Sequence, residues 1–339
     1  MMGLDDKLSV QFSKNLLDAL RTKGIEIQLF TENSSVAISA SSLGTSGYAD
    51  STLTVGRVIG KSKYGAEYTP VTSAVGISGM GAFPNTTSES GPYTLKMKIA
   101  VSTGDNRKSN VYQEAGKGWS LISSQTHEDT KRISNVSAGN YMIMDYVKHF
   151  IDINNHWAFD LVDFMARKQF VTGYSDDTFR PDRYITRSEF TTMLVRVMND
   201  KGLKAIRGEV NFQDVPPSDW AFSYVNEGYK LGLVTGTSPE TFEPTRNISR
   251  EEMAAIAVRA MNLLRGEAGK NAVGDVNSLL TQYTDQDDIS RWARPELTLA
   301  VKEKIIEGVI GNRMEPKSFA TRAQATVVLY KVLEATDNL

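Results

Sequence analysis

A spaced pattern occurs three times in the second half of this chain, and each copy is headed by a tryptophan: Trp157, Trp220 or Trp292. A glycine follows each tryptophan at position +16, a proline at +24 and an arginine at +30, and an aspartate lies five to seven residues before it. A fixed internal register of this kind is typical of a repeat array, in which neighbouring units bury a shared core. We therefore predict repeats over about residues 148–200, 210–265 and 281–335, packed into one compact unit.

Each repeat is predicted to consist of a helix, a loop and a second helix. Apolar residues at spacings of three and four follow each tryptophan, for example Ala158, Leu161, Val162 and Met165 in the first repeat, and this spacing marks one buried helical face. A proline-bearing loop comes next, since proline disfavours helix in the residue before it. The second helix begins at a capping box, a Thr or Ser N-cap with Glu or Gln three residues later, at residues 186–189, 249–252 and 321–324.

These motifs resemble the S-layer homology (SLH) repeat, whose general form is F-x-D…W-A…G-Y-x-D-G-T-F-x-P…T-R-A-E-F. Repeat one matches at Asp152, at Trp157, in the segment 173–181 (GYSDDTFRP) and in the segment 185–190 (ITRSEF). Repeat two matches at 212–214, 220–221 and 249–252. Repeat three matches at Asp285, 292–293 and 321–324, but its loop at 311–316 has diverged. The resemblance covers roughly residues 148–335.

The resemblance implies that residues 146–339 form an all-α, pseudo-three-fold helical bundle. Such bundles anchor secreted proteins, without covalent bonds, to secondary cell-wall polymers of bacterial envelopes, and in several members of the family the polymer ends in pyruvylated N-acetylmannosamine. The family's grooves are lined by the T-R-A-E arginine, the aspartate, the tryptophan and a small polar residue two before it. The corresponding residues are Asp152, Asn155, Trp157 and Arg187; Asp214, Ser218, Trp220 and Arg250; and Asp285, Ser290, Trp292 and Arg322. Gly173 and Gly236 complete the predicted ligand-binding site, and the implied location is the extracellular cell wall or S-layer of a Gram-positive cell.

Physical chemistry favours this reading but leaves alternatives open. A helix N-terminus attracts an anion, and an arginine there offers a planar fork suited to the carboxylate of a pyruvate ketal. The tryptophans could instead fill the space between helices, and the aspartates could cap the first helices. Capping does not need arginine, so we expect Arg187 and Arg250 to face solvent and bind the ligand. We expect Arg322 to contribute less to ligand binding, because its own loop has diverged. Arg322 could instead form a structural ion pair.

Residues 1–145 are rich in Ser, Thr and Gly and contain runs of alternating polarity. They are predicted to form an antiparallel β-rich, sandwich-like domain that serves as a spacer. Segments with alternating or β-rich character predict strands at 25–30, 35–38, 93–101, 111–112, 119–122 and 141–144. One helix is predicted over 13–23, with Ser13 as its N-cap and Gly24 beyond its end. No motif in this region identifies a ligand.

Composition narrows the function classes further. The net charge of −2 argues against nucleic acid as a partner. The chain has no cysteine, and its three histidines are not at metal-ligand spacing, so we expect no metal, no cofactor and no catalytic activity. No apolar run reaches membrane-spanning length, and Met1 is not followed by a signal-peptide pattern, so we expect a piece of a longer precursor. Self-association in a surface layer is a further expectation.

The alternative function is the C-terminal portion of a cell-surface polysaccharide-degrading enzyme with catalysis elsewhere. Paired carboxylates in a cleft of the β-rich domain would favour catalysis within this chain. The acidic residues of that region are scattered through its loops instead.

Overall fold

The chain divides into two compact units, residues 1–147 and 148–339. The structure is a computed structural model, and it describes residues 7–38, 51–58, 63, 65–72, 74–80, 93–99, 105–201, 203, 206–266 and 279–339. None of the helices within these ranges is both long enough and apolar enough to cross a membrane.

The first unit is built from two antiparallel sheets. Among the described residues its strands are β1 (Lys7–Phe12), β2 (Ile27–Phe30), β3 (Ser34–Ile38), β4 (Ser51–Val58), β5 (Tyr68–Pro70), β6 (Ala74–Met80), β7 (Tyr93–Lys98), β8 (Asn110–Ala115), β9 (Gly118–Ile122), β10 (Gln125–His127), β11 (Thr130–Val136) and β12 (Gly139–Tyr146). One sheet has the order β1-β4-β6-β12-β8-β9, with β5 paired to β12, and the other has the order β10-β11-β7-β3-β2. The prediction of an antiparallel β-rich region is confirmed.

Alternating burial explains why these strands form two layers. The inward residues of β7, Tyr93, Leu95 and Met97, are buried, whereas Lys96 and Lys98 are exposed. They belong to one hydrophobic cluster with Leu53 and Val55 of β4 and with inward residues from several other strands of both sheets. A side-chain period of two puts one face of each strand into this shared core. The last predicted residues of the β7 segment, 100 and 101, lie outside the described residues.

The predicted helix of the first unit is confirmed as α1 (Lys14–Lys23). The Ser13 hydroxyl accepts a hydrogen bond from the Leu16 N–H, as an N-cap does, and Gly24 ends the helix with a left-handed φ of 66°. Glycine suits that position because it has no Cβ to strain.

The second unit contains the helices of the three repeats. They are α2 (Phe159–Arg167) and α3 (Arg187–Asp200) in repeat one, α4 (Phe222–Lys230) and α5 (Arg250–Arg265) in repeat two, and α6 (Arg294–Lys302) and α7 (Arg322–Glu334) in repeat three. All three predicted capping boxes are present at the starts of α3, α5 and α7. One hydrophobic cluster contains residues from every repeat, among them Phe190, Met253 and Leu329, so the predicted shared core is confirmed.

The repeats close on one another in a cycle. The segments just before α3, α5 and α7 exchange backbone hydrogen bonds of 3.0 Å: Ile248 N–H donates to the carbonyl of Ile185, Ala320 N–H to that of Ile248, and Ile185 N–H to that of Ala320. Because each segment both donates to and accepts from another repeat, the chain needs all three copies to satisfy these buried backbone groups.

Candidate functional site

The three motif arginines are buried, contrary to expectation. Arg187, Arg250 and Arg322 are only 6%, 5% and 6% exposed. Burial lowers the pKa of each guanidinium, but the ordinary value is so high that the groups stay charged near neutral pH. The prediction that Arg187 and Arg250 face solvent is therefore wrong.

Each buried guanidinium reaches into the loop of another repeat. The Nε atoms donate at 2.9 Å to backbone carbonyls, Arg187 to Phe242, Arg250 to Met314 and Arg322 to Phe179. The Nη2 atoms donate to a second carbonyl of the same loop, that of Thr235, Glu307 or Thr172 respectively. The first helical residue of α3, α5 and α7 thus ties two repeats together. The lower rank of Arg322 stays a prediction, but its stated reason does not hold: Arg322 contacts the intact loop of repeat one, whereas Arg250 contacts the diverged loop of repeat three.

The three motif aspartates also bind backbone. Asp152 accepts hydrogen bonds from the N–H groups of Phe179 and Arg180, both at 2.7 Å. Asp214 accepts from Phe242 and Glu243, and Asp285 from Met314 and Glu315, in the same way. The helix-capping alternative is wrong, since α2, α4 and α6 follow alanines with no side-chain cap. The carboxylates instead fix the proline-bearing loop of their own repeat.

The three motif tryptophans lie at the surface. Trp157, Trp220 and Trp292 are 67%, 60% and 52% exposed, so the alternative that they fill the space between helices is wrong. Of the small polar residues, Asn155 and Ser218 are exposed. Ser290 instead forms two hydrogen bonds: its N–H and its hydroxyl donate to the Glu251 carboxylate at 3.0 and 2.9 Å.

Two open grooves bring some of the predicted residues together. The first groove, of about 130 Å³, is lined by Thr172, Gly173, Tyr174, Glu189, Thr192, Met193, Arg196, Trp220 and Arg322. The second groove, of about 330 Å³, is lined by Arg187, Thr235, Gly236, Thr237, Glu252, Ala255, Ile256, Arg259 and Trp292. Each groove is assembled from all three repeats: an arginine from one, a loop and second helix from another, and a tryptophan from the remaining one. The motif residues that line one groove therefore come from different copies of the repeat.

The loop glycines allow the close approach that shapes these grooves. A Cβ on Gly173 would lie 2.4 Å from Phe150 and 2.7 Å from the Thr178 carbonyl, and one on Gly236 would lie 2.3 Å from the Ser238 carbonyl. Both glycines line a groove with their backbone, so an added side chain would collide with the loop itself.

The acidic groups of both grooves are neutralised internally. Glu189 forms an ion pair with Arg183 and lies 3.9 Å from Arg322. Glu252 forms ion pairs with Arg246 at 2.6 Å and with Arg187 at 3.2 Å. Burial raises the pKa of Glu252, but hydrogen bonds from Arg246 and from the Ser249 backbone outweigh it and bring the pKa below its ordinary value. Neither carboxylate therefore presents an unpaired negative charge to a ligand.

Sequence reasoning missed a second basic position in each repeat. Arg196, Arg259 and Lys331 lie 39 residues after their tryptophans and within α3, α5 and α7. Arg196 and Arg259 line the first and second grooves. The fixed spacing from each tryptophan that identified the motif arginines in the sequence would also have identified these residues. Within the part of the chain that the structure describes, no group of three or more His, Asp or Glu residues is arranged to hold a metal ion.

Comparison with known proteins agrees with the repeat architecture. The S-layer homology domain family matches residues 149–191, 211–254 and 282–326. An amylopullulanase of Thermoanaerobacterium thermosulfurigenes is 30% identical over 342 residues, covering 100% of this chain and 18% of that protein. An exoglucanase XynX of Acetivibrio thermocellus is 36% identical over 190 residues, covering 56% of this chain and 17% of that protein. An S-layer protein of Bacillus thuringiensis subsp. finitimus is 28% identical over 188 residues, covering 54% of this chain and 21% of that protein.

The chain thus spans less than a quarter of the length of these relatives. SLH domains anchor surface proteins to the cell wall, and the domains together with the S-layer relatives assign this chain to the outside of the cell, at the cell wall.

Proposed function

We propose that this chain, an S-layer homology domain protein, anchors itself to the bacterial cell wall by noncovalent binding of a secondary cell-wall polymer that ends in pyruvylated N-acetylmannosamine. The proposed binding surfaces are the first and second grooves of the helical unit. We further propose that the three repeats are related by a pseudo-three-fold axis, which the cyclic hydrogen bonds of Ile185, Ile248 and Ala320 support. Self-association in a surface layer remains part of this proposal.

The observation that carries the proposal is an exposed tryptophan and an arginine in the same open groove. Trp220 lines the first groove with Arg196 and Arg322, and Trp292 lines the second with Arg259 and Arg187. A large exposed aromatic face gives a sugar ring an apolar contact, and a guanidinium binds a carboxylate through charge-assisted hydrogen bonds. An acidic saccharide is the ligand class that needs both groups.

Cosedimentation with purified cell walls tests the proposal. The chain should pellet with walls that retain their polymer and should stay in the supernatant when the pyruvate groups have been removed chemically. The isolated first unit, residues 1–147, serves as the control, since we propose that it is a spacer that does not bind the polymer. Equal pelleting with treated and untreated walls would contradict recognition of the pyruvate.

A second candidate function has one specific observation in its favour. The match to the amylopullulanase extends over the β-rich unit as well as the repeats, so the chain could be the wall-binding portion of a longer polysaccharide-degrading surface enzyme. We propose that the chain itself is not catalytic. Incubation with starch and pullulan should release no reducing sugar, and release at a rate above that of a heat-denatured sample would contradict this.

A further inference from the structure

The motif arginines are poorly placed to be the main carboxylate ligands of the grooves. In Arg322, Nε and Nη2 donate to the carbonyls of Phe179 and Thr172, and Nη1 lies 3.9 Å from the Glu189 carboxylate. In Arg187, Nε and Nη2 donate to carbonyls and Nη1 donates to Glu252 at 3.2 Å. A ligand carboxylate would have to compete with contacts that hold the repeats together.

The basic residues nine positions further along the same helices are differently placed. Arg196 Nη1 donates to the Thr172 hydroxyl at 3.3 Å, and Arg259 Nη1 donates to the Leu233 carbonyl at 3.2 Å. Across the described residues, no Asp or Glu carboxylate lies within 4.0 Å of either guanidinium. Both side chains are only partly buried and line their grooves, so each presents a charge without an acidic partner.

The third copy differs at this same point. We define the third junction by Arg250, Glu307, Gln324 and Lys331, the positions that correspond to the arginine, loop and second helix of the two grooves. Lys331 Nζ donates to the Glu307 carboxylate at 2.8 Å, and this contact lowers the pKa of Glu307. Glu307 stands where the grooves have Thr172 and Thr235. The position that carries a threonine hydroxyl in two copies therefore carries a carboxylate in the third, where it would compete with a ligand's carboxylate for the basic side chain.

A buried polar group in the first groove points the same way. Thr192 is 4% exposed and its hydroxyl has no hydrogen-bond partner. It lies one turn of α3 before Arg196 and lines the same groove. Buried hydroxyls are almost always paired, so an unpaired hydroxyl near a cation that has no acidic partner marks a place where a polar ligand would be accommodated.

We propose that Arg196 and Arg259 bind the ligand's carboxylate in the first and second grooves, and that the third junction is silent because Glu307 already neutralises Lys331. The inference rests on the proposed function and deepens it. The motif arginines are then positioning residues, which hold the loop and helix that form each groove. The ligand class remains a saccharide with one carboxylate, and the complete chain has two binding sites for it.

Calorimetry with the methyl glycoside of pyruvylated N-acetylmannosamine tests the inference on the complete chain. The wild type should bind at two sites, Arg196→Gln and Arg259→Gln at one site each, and the double variant at none that is measurable. At the altered groove, the loss of a charge-assisted contact should weaken binding by about ten- to a hundred-fold. Lys331→Gln is the matched control and should keep both sites. Arg196→Lys should recover part of the lost affinity because it retains the charge, whereas a purely structural role would not give this pattern.

The outcomes separate this inference from the proposed function. Wild-type binding that survives in the double variant within about twofold would overturn the inference and leave anchoring intact, and so would loss of a site in Lys331→Gln. Equal affinity for the glycoside without pyruvate would overturn carboxylate recognition, and the inference with it, but would leave saccharide binding intact. Failure of the wild type to bind either glycoside would overturn both. Thermal melts of every variant, which should match the wild type because these side chains are partly exposed, exclude unfolding as the cause.

Discussion

The second groove and the third junction are built on the same scaffold and differ in what lines it. In both, a buried arginine from the preceding repeat donates to two loop carbonyls, Arg187 to Phe242 and Thr235, and Arg250 to Met314 and Glu307. In the third junction Glu307 forms an ion pair with Lys331, whereas Arg259, at the corresponding position of the second groove, has no such partner among the described residues. The difference teaches that the repeat motif specifies how the repeats contact one another, while loop positions outside the motif differ between junctions; on our proposal, these positions decide whether a junction binds an anion.

The largest expected effect tests the shared scaffold. Arg187→Ala, Arg250→Ala and Arg322→Ala should each lower the free energy of unfolding by roughly 2–5 kcal/mol, since each leaves one buried loop carbonyl without a donor, at about 1–3 kcal/mol, and removes a second, part-buried hydrogen bond from a charged group. Chemical denaturation of the three variants measures the loss, with Arg196→Ala as a control that should cost no more than about 1 kcal/mol. Unequal losses, large at the two grooves and small at the third junction, would break the comparison.

The next largest loss of stability is expected at Asp285, the loop aspartate of the third repeat. Asp285→Asn should lower stability at neutral pH by about 1.5–3 kcal/mol, because it weakens charge-assisted bonds from the Met314 and Glu315 N–H groups. Burial raises the pKa of Asp285, but these backbone bonds outweigh it, so the folded pKa lies below the ordinary value.

That depressed pKa fixes the direction of a pH effect. The stabilisation from Asp285 should be complete above the unfolded pKa of about 3.9 and should be lost as the pH falls through the lower folded value. Denaturation between pH 5 and pH 2 should therefore show a shallower loss for Asp285→Asn than for the wild type. Parallel curves would show that this carboxylate does not carry the stabilisation.

The tryptophans sharpen the comparison at the level of binding. Trp220→Ala or Trp292→Ala should weaken polymer binding by about 2 kcal/mol, roughly thirty-fold at the affected groove. Trp157, which the register assigns to the third junction, should be replaceable by alanine with less than about a twofold change. All three rings are more than half exposed, so melting temperatures should stay near that of the wild type. A thirty-fold loss in Trp157→Ala would show that the third junction is occupied.

The smallest effect on stability belongs to the third junction itself. Glu307→Gln removes a surface ion pair with Lys331, and such pairs contribute about 0–1 kcal/mol. The same change frees Lys331, so calorimetry should detect a weak additional site for the pyruvylated glycoside. Thr235→Gln is the control of similar size in the second groove, and it should add no site.

The sequence predicted the scaffold well because the scaffold depends on local signals. Capping boxes, the apolar period of the second helices and the proline-bearing loops act within one repeat, and the structure has all of them. In the first unit, strands with clean alternation such as β7 were predicted. β4 and β6 were not, since serine and glycine weaken the strand signal of STLTVGRV and AVGISGM.

The site was harder to predict because it depends on which repeat meets which. Periodicity states what each copy contains, but not that Arg322 crosses to the loop of repeat one. The helix N-terminus was expected to point its arginine at solvent, and the Arg322 guanidinium instead donates to the buried carbonyl of Phe179, which would otherwise lack a donor, and to the carbonyl of Thr172. The same closure between repeats brings Trp220 of repeat two to the first groove.

A crystal structure of the complete chain with the pyruvylated N-acetylmannosamine glycoside tests the central claim most directly. The account predicts the saccharide in the first and second grooves, its ring against Trp220 or Trp292 and its carboxylate on Arg196 or Arg259, with the backbone contacts of Arg322 and Arg187 unchanged. A saccharide at the third junction, or a carboxylate that displaces the loop carbonyls from the motif arginines, would contradict it.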